Sequence, residues 1–392
     1  MNLSARVRQH YRELFDEEPL IVARAPGRVN LLGEHVDYND GFVLPAAIDR
    51  AVWVACSPSR APHSTLVAVD LNEKTFFSPQ TLPAKTDIYS QPLPHWAKYS
   101  AGVMWVLSEA GYHTPNFKAV FTSDVPRGAG LSSSAAVEMA FMMAFFALGE
   151  KEFISKHDPI TLARLAQRAE NEYVGVRCGI MDQFASACGK KDHALFLDCR
   201  SLDWQTVPLP ANVAIVVADT SVPRSLSESA YNERRAACEE AARSLGVKSL
   251  RDISVQEFHR IKHKLSSPIA RRAQHVVEEI QRTEQSVFLL KQGNIKAFGR
   301  LMNECHVSLR DLYEVSSPEL DVMVEIAQSL PGCYGARLTG AGFGGCTVNL
   351  VAWDQVEEFV RELGIRYKNR TNREAKIYVC RADDGAGFVS SI

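Results

Sequence analysis

Two short stretches of the chain concentrate side chains that can do chemistry. The first, GRVNLLGEHVDYNDG, runs from Gly27 to Gly41 and places Arg28, Glu34, His35, Asp37 and Asp40 within a few positions of Leu31, Leu32 and Val36, directly after an apolar segment. A surface loop accounts for the charges but not for the apolar partners. A binding site built on the end of a strand accounts for both. Asn39, Asp40 and Gly41 are ordinary turn residues, and Asp40 is assigned to that role. Tyr38 reads as packing rather than contact.

The second stretch is PRGAGLSSSAAVE, Pro126 to Glu138. Gly128 and Gly130 allow the backbone to turn with positive φ and to approach a ligand closely. Leu131 leads into Ser132, Ser133 and Ser134, which sit where a helix begins. The free N–H groups of that first turn, together with the helix dipole, attract an anion, and successive N–H groups of the loop form a nest for phosphate oxygens. The loop lacks the G-K-[ST] ending of a Walker A motif and the spacing of a dinucleotide fingerprint. A phosphate here calls for magnesium, which takes oxygen ligands and keeps several waters, so a serine hydroxyl and one carboxylate suffice. Glu170 and Glu172, in AQRAENEYVG, are both candidates, and their spacing does not choose between them.

The elements that must position these groups follow from pattern. Residues 4–16 have amphipathic helical periodicity, and Leu20 to Ala25 reads as a strand ended by Pro26 and Gly27. Strands are expected at Ala51–Cys56, Leu66–Asp70, Phe117–Thr122, Ala194–Asp198, Val213–Asp219, Gly335–Thr339, Cys346–Ala352 and Lys376–Cys380. Helices are expected at 96–110, from the serine run to Leu148, and at 159–176, 228–245, 268–291, 294–309, 317–329 and 354–365. Strands dominate the first half and helices the second, which predicts an α+β architecture. QTVPLPANV, 205–213, marks a seam between a domain at 1–208 and one at 209–392, with the last strand free to return to the first half. A cleft between the two is the expected place for a small-molecule site. Gly340, Gly342, Gly344 and Gly345 lie between two strands, and four glycines are more than a tight turn needs.

Composition narrows the class of partner. The 392 residues are 46% hydrophobic and 23% charged, with a formal net charge of −2 and no block of basic residues, which argues against nucleic acid. The polar, helix-patterned N-terminus is not a signal peptide, and the longest apolar run, Met139 to Leu148, is shorter than the about 20 residues a membrane span needs. Nine cysteines, scattered singly and without a C-x-x-C pair, suit reduced thiols in a cytoplasm and give no zinc-ligand spacing. A cytoplasmic monomer is the expectation.

GRVNLLGEHVDYNDG resembles the signature of galactokinases. PRGAGLSSSAA resembles the phosphate loop of the wider small-molecule kinase family that includes homoserine, mevalonate and phosphomevalonate kinases, and GARLTGAGFGGC, Gly335 to Cys346, resembles its third motif. CGIMDQFAS (178–186) and CHVSLRDLYEVSSPELD (305–321) strengthen the likeness, which spans nearly the whole chain in order. It implies a two-domain fold: an N-terminal mixed α/β domain like a ribosomal-protein domain, a C-terminal α+β domain, and an active site in the cleft between them.

The resemblance also implies an activity, ATP-dependent phosphorylation of galactose at the anomeric hydroxyl, with magnesium. Asp182 matches the catalytic position and Arg28 its charged partner. Asp37 matches the group that holds hydroxyls 3 and 4, and Glu34 and His35 match those at the hydroxymethyl end. Tyr231 reaches the sugar from the other domain, and Gly179 offers a backbone contact. Ser134 and Glu170 match the magnesium ligands, leaving Glu172 on the helix surface. Trp96 matches an aromatic near the adenine, with Tyr99 one helical turn away. His306 reads as a buried structural histidine, and Cys305 as a position without functional consequence. Glu34 would repel a uronate and has no use with a pentose, so galactose is expected ahead of galacturonate, arabinose or N-acetylgalactosamine. A sugar sensor without catalysis is the alternative of another class. The intact phosphate loop and the Arg28 and Asp182 pair argue against it.

Overall fold

The computed structural model describes residues 2–149, 158–222 and 227–389. The chain opens with helix α1 (Leu3–Phe15), which Asn2 caps by accepting from the Ala5 N–H at 2.8 Å. Val7 and Tyr11 on its inner face bury against the first sheet. That sheet contains β1 (Ile21–Asn30), β3 (Pro45–Pro58), β4 (Ser64–Ala68), β5 (Glu73–Phe77) and β6 (Phe117–Ser123), with β2 (Phe42–Val43) belonging to a separate small sheet. With β13 (Gly387–Val389) at its edge, the strand order is β13-β1-β3-β6-β4-β5, and of these pairs only β4 with β6 is parallel.

Two helices from this half layer over the sheet, the second directly and the first on top of it. Helix α2 (His95–Glu109) is buried on several sides, with Ala97, Ala101 and Met104 on one face and Val106 on the opposite one. Helix α3 (Ser133–Gly149) is apolar all round and buried along almost its whole length, as a helix in the middle of a core must be. Helix α4 (Pro159–Arg168) starts at an Asp158 cap and runs into a single π turn, Ala169–Val174, that closes on Gly175 at φ 100°. Helix α5 (Met181–Cys188) follows. Strands β7 (His193–Asp198) and β8 (Trp204–Pro208) then complete the three-stranded sheet β2-β7-β8.

The second half is built on the antiparallel sheet β10-β11-β9-β12, made of β9 (Val213–Asp219), β10 (Cys333–Thr339), β11 (Cys346–Ala352) and β12 (Lys376–Cys380). Helices α6 (Ser227–Leu245), α7 (Val255–Ile261), α8 (Ser267–Lys291), α9 (Ile295–Ser308), α10 (Pro318–Ser329) and α11 (Val356–Thr371) complete this half. One apolar core runs through both halves, from Val52 and Phe141 to Phe298 and Leu338.

Three expectations need correction. The first strand does not end at Pro26 and Gly27. It continues to Asn30 through a register shift between Pro26 and Arg28, because a bulge absorbs the residues that a regular ladder would reject. The segment from 205 is not all seam: Trp204–Pro208 pairs with β7, and sheet membership changes only between β8 and β9. Nor does 209–392 stay in one half. Lys376–Cys380 pairs with β9 as part of the second sheet, but a further strand, β13 (Gly387–Val389), adds to β1 at the edge of the first. A three-residue strand carries too little periodicity to be read from sequence.

Candidate active site

The bulge in β1 aims the first functional side chain. Gly27 has no space for a Cβ, which would lie 2.6 Å from the Leu131 carbonyl oxygen. The next residue, Arg28, donates its backbone N–H to that same carbonyl at 3.0 Å, so strand and phosphate loop are stitched together. The Arg28 side chain is buried. Its Nε and Nη2 meet Asp182 Oδ1 at 2.8 and 2.6 Å, and Nη1 donates to the Gly130 carbonyl at 2.6 Å. Asp182 stands in the first turn of α5, which Ser186 ties to β1 by donating to the Pro26 carbonyl at 2.7 Å. Ser132 Oγ donates to Asp182 Oδ2 at 2.5 Å. Two distant stretches and the phosphate loop therefore converge on one carboxylate.

The loop itself has the backbone expected of an anion nest. Gly128, Gly130 and Ser132 adopt φ of 71°, 79° and 55°, and Ser133 opens α3. Leu131 is buried and anchors the loop in the core, while Gly128, Gly130, Ser132, Ser133 and Ser134 face a cavity. Of the two candidate glutamates, Glu172 turns outward onto Arg168 at 2.9 Å, and Glu170 turns inward, 6% exposed, onto the cavity wall. Glu170 accepts from Gln183 Nε2 at 2.5 Å, from the Cys178 thiol at 3.3 Å and from the Ser134 hydroxyl. Burial, and then the nearby charge of Asp182, push its carboxyl up from the ordinary value. Glu138, one helical turn beyond Ser134, escaped sequence reasoning. It is fully buried, receives Gln183 Nε2 at 2.9 Å, and is pushed well up by burial and by Glu170.

Among the described residues, no three His, Cys, Asp or Glu side chains are grouped to hold a metal ion. Magnesium needs no such cage, because one carboxylate and one hydroxyl serve beside phosphate oxygens and water. Ser134 and Glu170 fit that description: they are hydrogen-bonded to each other on the cavity wall, and among the described residues the glutamate's donors are all neutral.

At the other end of the cavity lie Glu34, His35 and Asp37. Gly33 at φ 88° and His35 at φ 62° bend the chain so that these side chains face the same space. Glu34 is held by the Arg337 guanidinium and by the Gly340 N–H at 3.1 Å. His35 Nδ1 lies 2.8 Å from the Tyr38 hydroxyl and Nε2 lies 3.3 Å from the Ala341 carbonyl. Burial drives the imidazole down to about 4, so near pH 7 it is neutral, with Nε2–H donating to Ala341 and Nδ1 accepting from Tyr38. Both ring nitrogens of His35 are thus engaged within the protein. Tyr38 is more than packing, since its hydroxyl also meets Tyr313 at 2.8 Å.

Asp37 is different from its neighbours because, among the described residues, no cation pairs with it. Its carboxylate lies against Gly179, where a Cβ would come within 1.9 Å of Oδ2. Burial first, and the charge of Asp182 second, push its carboxyl up to about 7. Tyr231 enters from α6, with its ring 5.6 Å from His35 and 5.3 Å from Tyr38. Gly340 and Ala341, in the glycine-rich loop, complete this end.

Trp96 is not on the cavity wall. Its ring packs on Phe121 at 5.9 Å, and its indole N–H reaches Glu73 Oε2 at 2.5 Å. His95 and Tyr99, on the same helix, line the cavity in its place. Residue 96 lies between two positions whose helical angles differ from its own by about 100° and 300°, and the tryptophan takes the face toward the sheet. Glu172, Asp40 and His306 sit as the sequence suggested. Asp40 is a left-handed turn residue, and His306 is buried between the Leu338 N–H and Asp321.

The cavity has a volume of about 510 Å3 and is walled by both halves of the chain. The family model for the galactokinase galactose-binding signature matches residues 9–58, which hold β1 and the Glu34 to Asp37 cluster. The models for the N-terminal and C-terminal domains of GHMP kinases match residues 98–190 and 287–369. A galactokinase of Roseiflexus sp. (strain RS-1) is 47% identical over 391 residues, covering 98% of this chain and 97% of that one. The crystal structure of Lactococcus lactis galactokinase complexed with galactose is 34% identical and superposes with a TM-score of 0.90, over 98% of this chain and 99% of that one. Methanococcus jannaschii mevalonate kinase, at 19% identity and a TM-score of 0.64 over 93% and 98% of the two chains, shares the two-domain fold. With its site between the two sheets and this degree of likeness along its whole length, the chain belongs to the galactokinase family of GHMP kinases.

Proposed function

We propose that the chain transfers the γ-phosphoryl group of ATP to the anomeric hydroxyl of galactose, giving galactose 1-phosphate. The observation that carries this reading is the Arg28–Asp182 pair. It stands at 2.6 Å within one cavity, with the phosphate loop on one side and the Glu34, His35 and Asp37 cluster on the other. A phosphoryl acceptor held by that cluster meets a carboxylate and a guanidinium at the point where it must face the nucleotide.

Asp182 takes the proton of the attacking hydroxyl. Its Oδ2 accepts from Ser132, a donor on the phosphate loop, so the carboxylate is already oriented between the two substrates. Arg28 keeps a permanent positive charge beside the oxygen that becomes nucleophilic, and also holds the Gly130 carbonyl, which fixes the loop against the catalytic pair. Loop N–H groups and the N-terminus of α3 hold the β- and γ-phosphates. Ser134 and Glu170 hold magnesium, which when bound neutralises phosphate charge. Asp37 accepts from two sugar hydroxyls, Gly179 approaches through its backbone, Glu34 accepts from the hydroxymethyl group, and Tyr231 closes the sugar from α6. We place the protein in the cytoplasm as a monomer. All nine cysteines are free thiols, and among the described residues no helix is long and apolar enough to cross a membrane.

A coupled assay of ADP release across galactose, N-acetylgalactosamine, arabinose and galacturonate with magnesium-ATP tests the reading. Galactose is expected to give the highest kcat/KM. A preference for any of the others overturns the substrate, and no ADP release with any of them overturns the activity.

A further inference from the structure

Glu34 carries both of its protein donors on one oxygen. The Arg337 guanidinium and the Gly340 N–H meet Oε2, and among the described residues none donates to Oε1. Arg337 lies in β10, in the other half of the molecule, and is fully buried. A guanidinium taken out of water needs acceptors placed to its own geometry. Arg337 has two: Nη2 meets Glu34, and Nη1 donates to the Asn30 carbonyl at the end of β1 at 2.8 Å. A lysine ammonium is a point charge and does not span two such acceptors at a fixed angle.

The backbone before Glu34 is held as firmly. Glu279 of α8, fully buried, accepts the Gly33 N–H at 2.8 Å and the Cys305 thiol at 3.0 Å, and pairs with Arg282. Gly33 has no room for a side chain, since a Cβ there would lie 2.4 Å from the Phe42 carbonyl oxygen. A line of alternating charge, Arg282, Glu279, Arg337 and Glu34, thus leads from α8 to the cavity wall. Cys305 has a use after all, as a donor within that line.

We infer that Arg337 is a positioning residue for sugar selection. It fixes the Glu34 carboxylate so that Oε1 alone faces the cavity at the place of the ligand's hydroxymethyl group. A buried ion pair is a poor way to gain stability, because apolar residues of the same volume hold a core as well or better. This pair does what apolar residues do not: it presents one oriented acceptor to the ligand. The inference rests on the proposed reading that Glu34 accepts from the 6-hydroxyl.

The test compares kcat/KM for galactose and for 6-deoxygalactose. Glu34→Gln should lower that ratio by about tenfold or more, since a group built to meet a hydroxyl is what penalises its absence. Arg337→Lys keeps the charge but not the fork. It should lower the ratio to a similar degree, with the loss falling on the galactose KM rather than on kcat. A ratio unchanged in Arg337→Lys but lowered in Glu34→Gln shows that Arg337 is structural only, and overturns the inference. A ratio unchanged in Glu34→Gln overturns the reading of Glu34, and the inference with it. Arg337→Met made on top of Glu34→Gln leaves no unpaired glutamate charge, and decides the matter if Arg337→Lys fails to fold. Its ratio should equal that of Glu34→Gln alone, and a further fall would show that Arg337 does not act through Glu34.

Discussion

Asp37 is the site's most exposed point of attack by pH. Its carboxyl is pushed up to about 7, from an ordinary value of 3.8, by burial first and then by the negative charge of Asp182 and Glu34, which Arg28 offsets only in part. In the proposed reading Asp37 accepts from two hydroxyls, which only its ionised form does fully. At pH 8 about nine-tenths of free enzyme molecules carry that form, and at pH 6 about one-tenth, so the galactose KM should rise about tenfold from pH 8 to pH 6. The imidazole of His35, driven down to about 4, does not titrate in this window. The assay is initial rate against galactose at saturating magnesium-ATP, at half-unit pH steps, on the wild type and on Asp37→Asn. The variant should bind galactose weakly with a flat profile. Stability moves the other way. A carboxyl raised on folding favours the folded state fully below about pH 4, and that contribution is lost as pH rises through about 7. At 1.36 kcal/mol per unit the shift sets a ceiling of about 4 kcal/mol, and solvent at the cavity reduces it. Asp37→Asn should therefore raise Tm at pH 8 more than at pH 5. A wild-type galactose KM that stays flat from pH 6 to 8, or a slope that persists in Asp37→Asn, refutes the reasoning.

Asp182→Asn should fold and bind galactose within about threefold of wild type by calorimetry, while turnover falls by about 10²–10⁴; near-normal turnover removes Asp182 from the chemistry. Gly179→Ala puts a methyl 1.9 Å from Asp37 Oδ2 and should raise the galactose KM about tenfold or more while sparing the ATP KM; unchanged sugar kinetics would mean that Asp37 does not hold the sugar. Tyr99→Ala should raise the ATP KM more than Trp96→Ala does, because Tyr99 lines the cavity and Trp96 packs on Phe121. The opposite order would return the adenine role to Trp96.

What could be read from the sequence was what local chemistry encodes. Ser132 to Ser134 after two glycines announce a helix start, and Gly128 and Gly130 do adopt positive φ there. The short apolar runs Val213–Asp219 and Cys346–Ala352 are strands with the expected bounds, and the structure pairs them. What was not legible depends on contacts between distant segments. Arg337 sits in an ordinary-looking strand, and nothing near it in sequence announces Glu34 as a partner 303 positions away. Glu138 drew no notice because α3 is apolar all round and its pattern does not tell where the one acidic side chain points. Trp96 and Tyr99 share a helix, and the resemblance implied the tryptophan for the adenine; only the rotation of α2 decides which of them meets the cavity. Pro26 and Gly27 are strong breakers in isolation, and the sheet overrides them because a bulge turns Arg28 inward.

The four acidic groups on the cavity wall show how one site assigns separate tasks to one functional group. Glu34 has a guanidinium and a backbone N–H on one oxygen, so its charge is spoken for and its free oxygen is a fixed acceptor. Asp182 has Arg28 on one oxygen and a hydroxyl on the other, so its permanent partner is a cation and its exchangeable one is neutral. Among the described residues no cation pairs with Asp37 or Glu170, and burial first, then the charge of Asp182, pushes both up. Those two are where the proposed ligands bring the missing complement: sugar hydroxyls as donors for Asp37, and a divalent ion for Glu170. A protein that supplied lysines at both places would titrate normally when empty, but would hold sugar and metal less well, because each ligand would have to displace an internal partner first. Leaving the two carboxylates unmatched makes the empty site electrostatically incomplete, and couples its protonation to the arrival of both substrates.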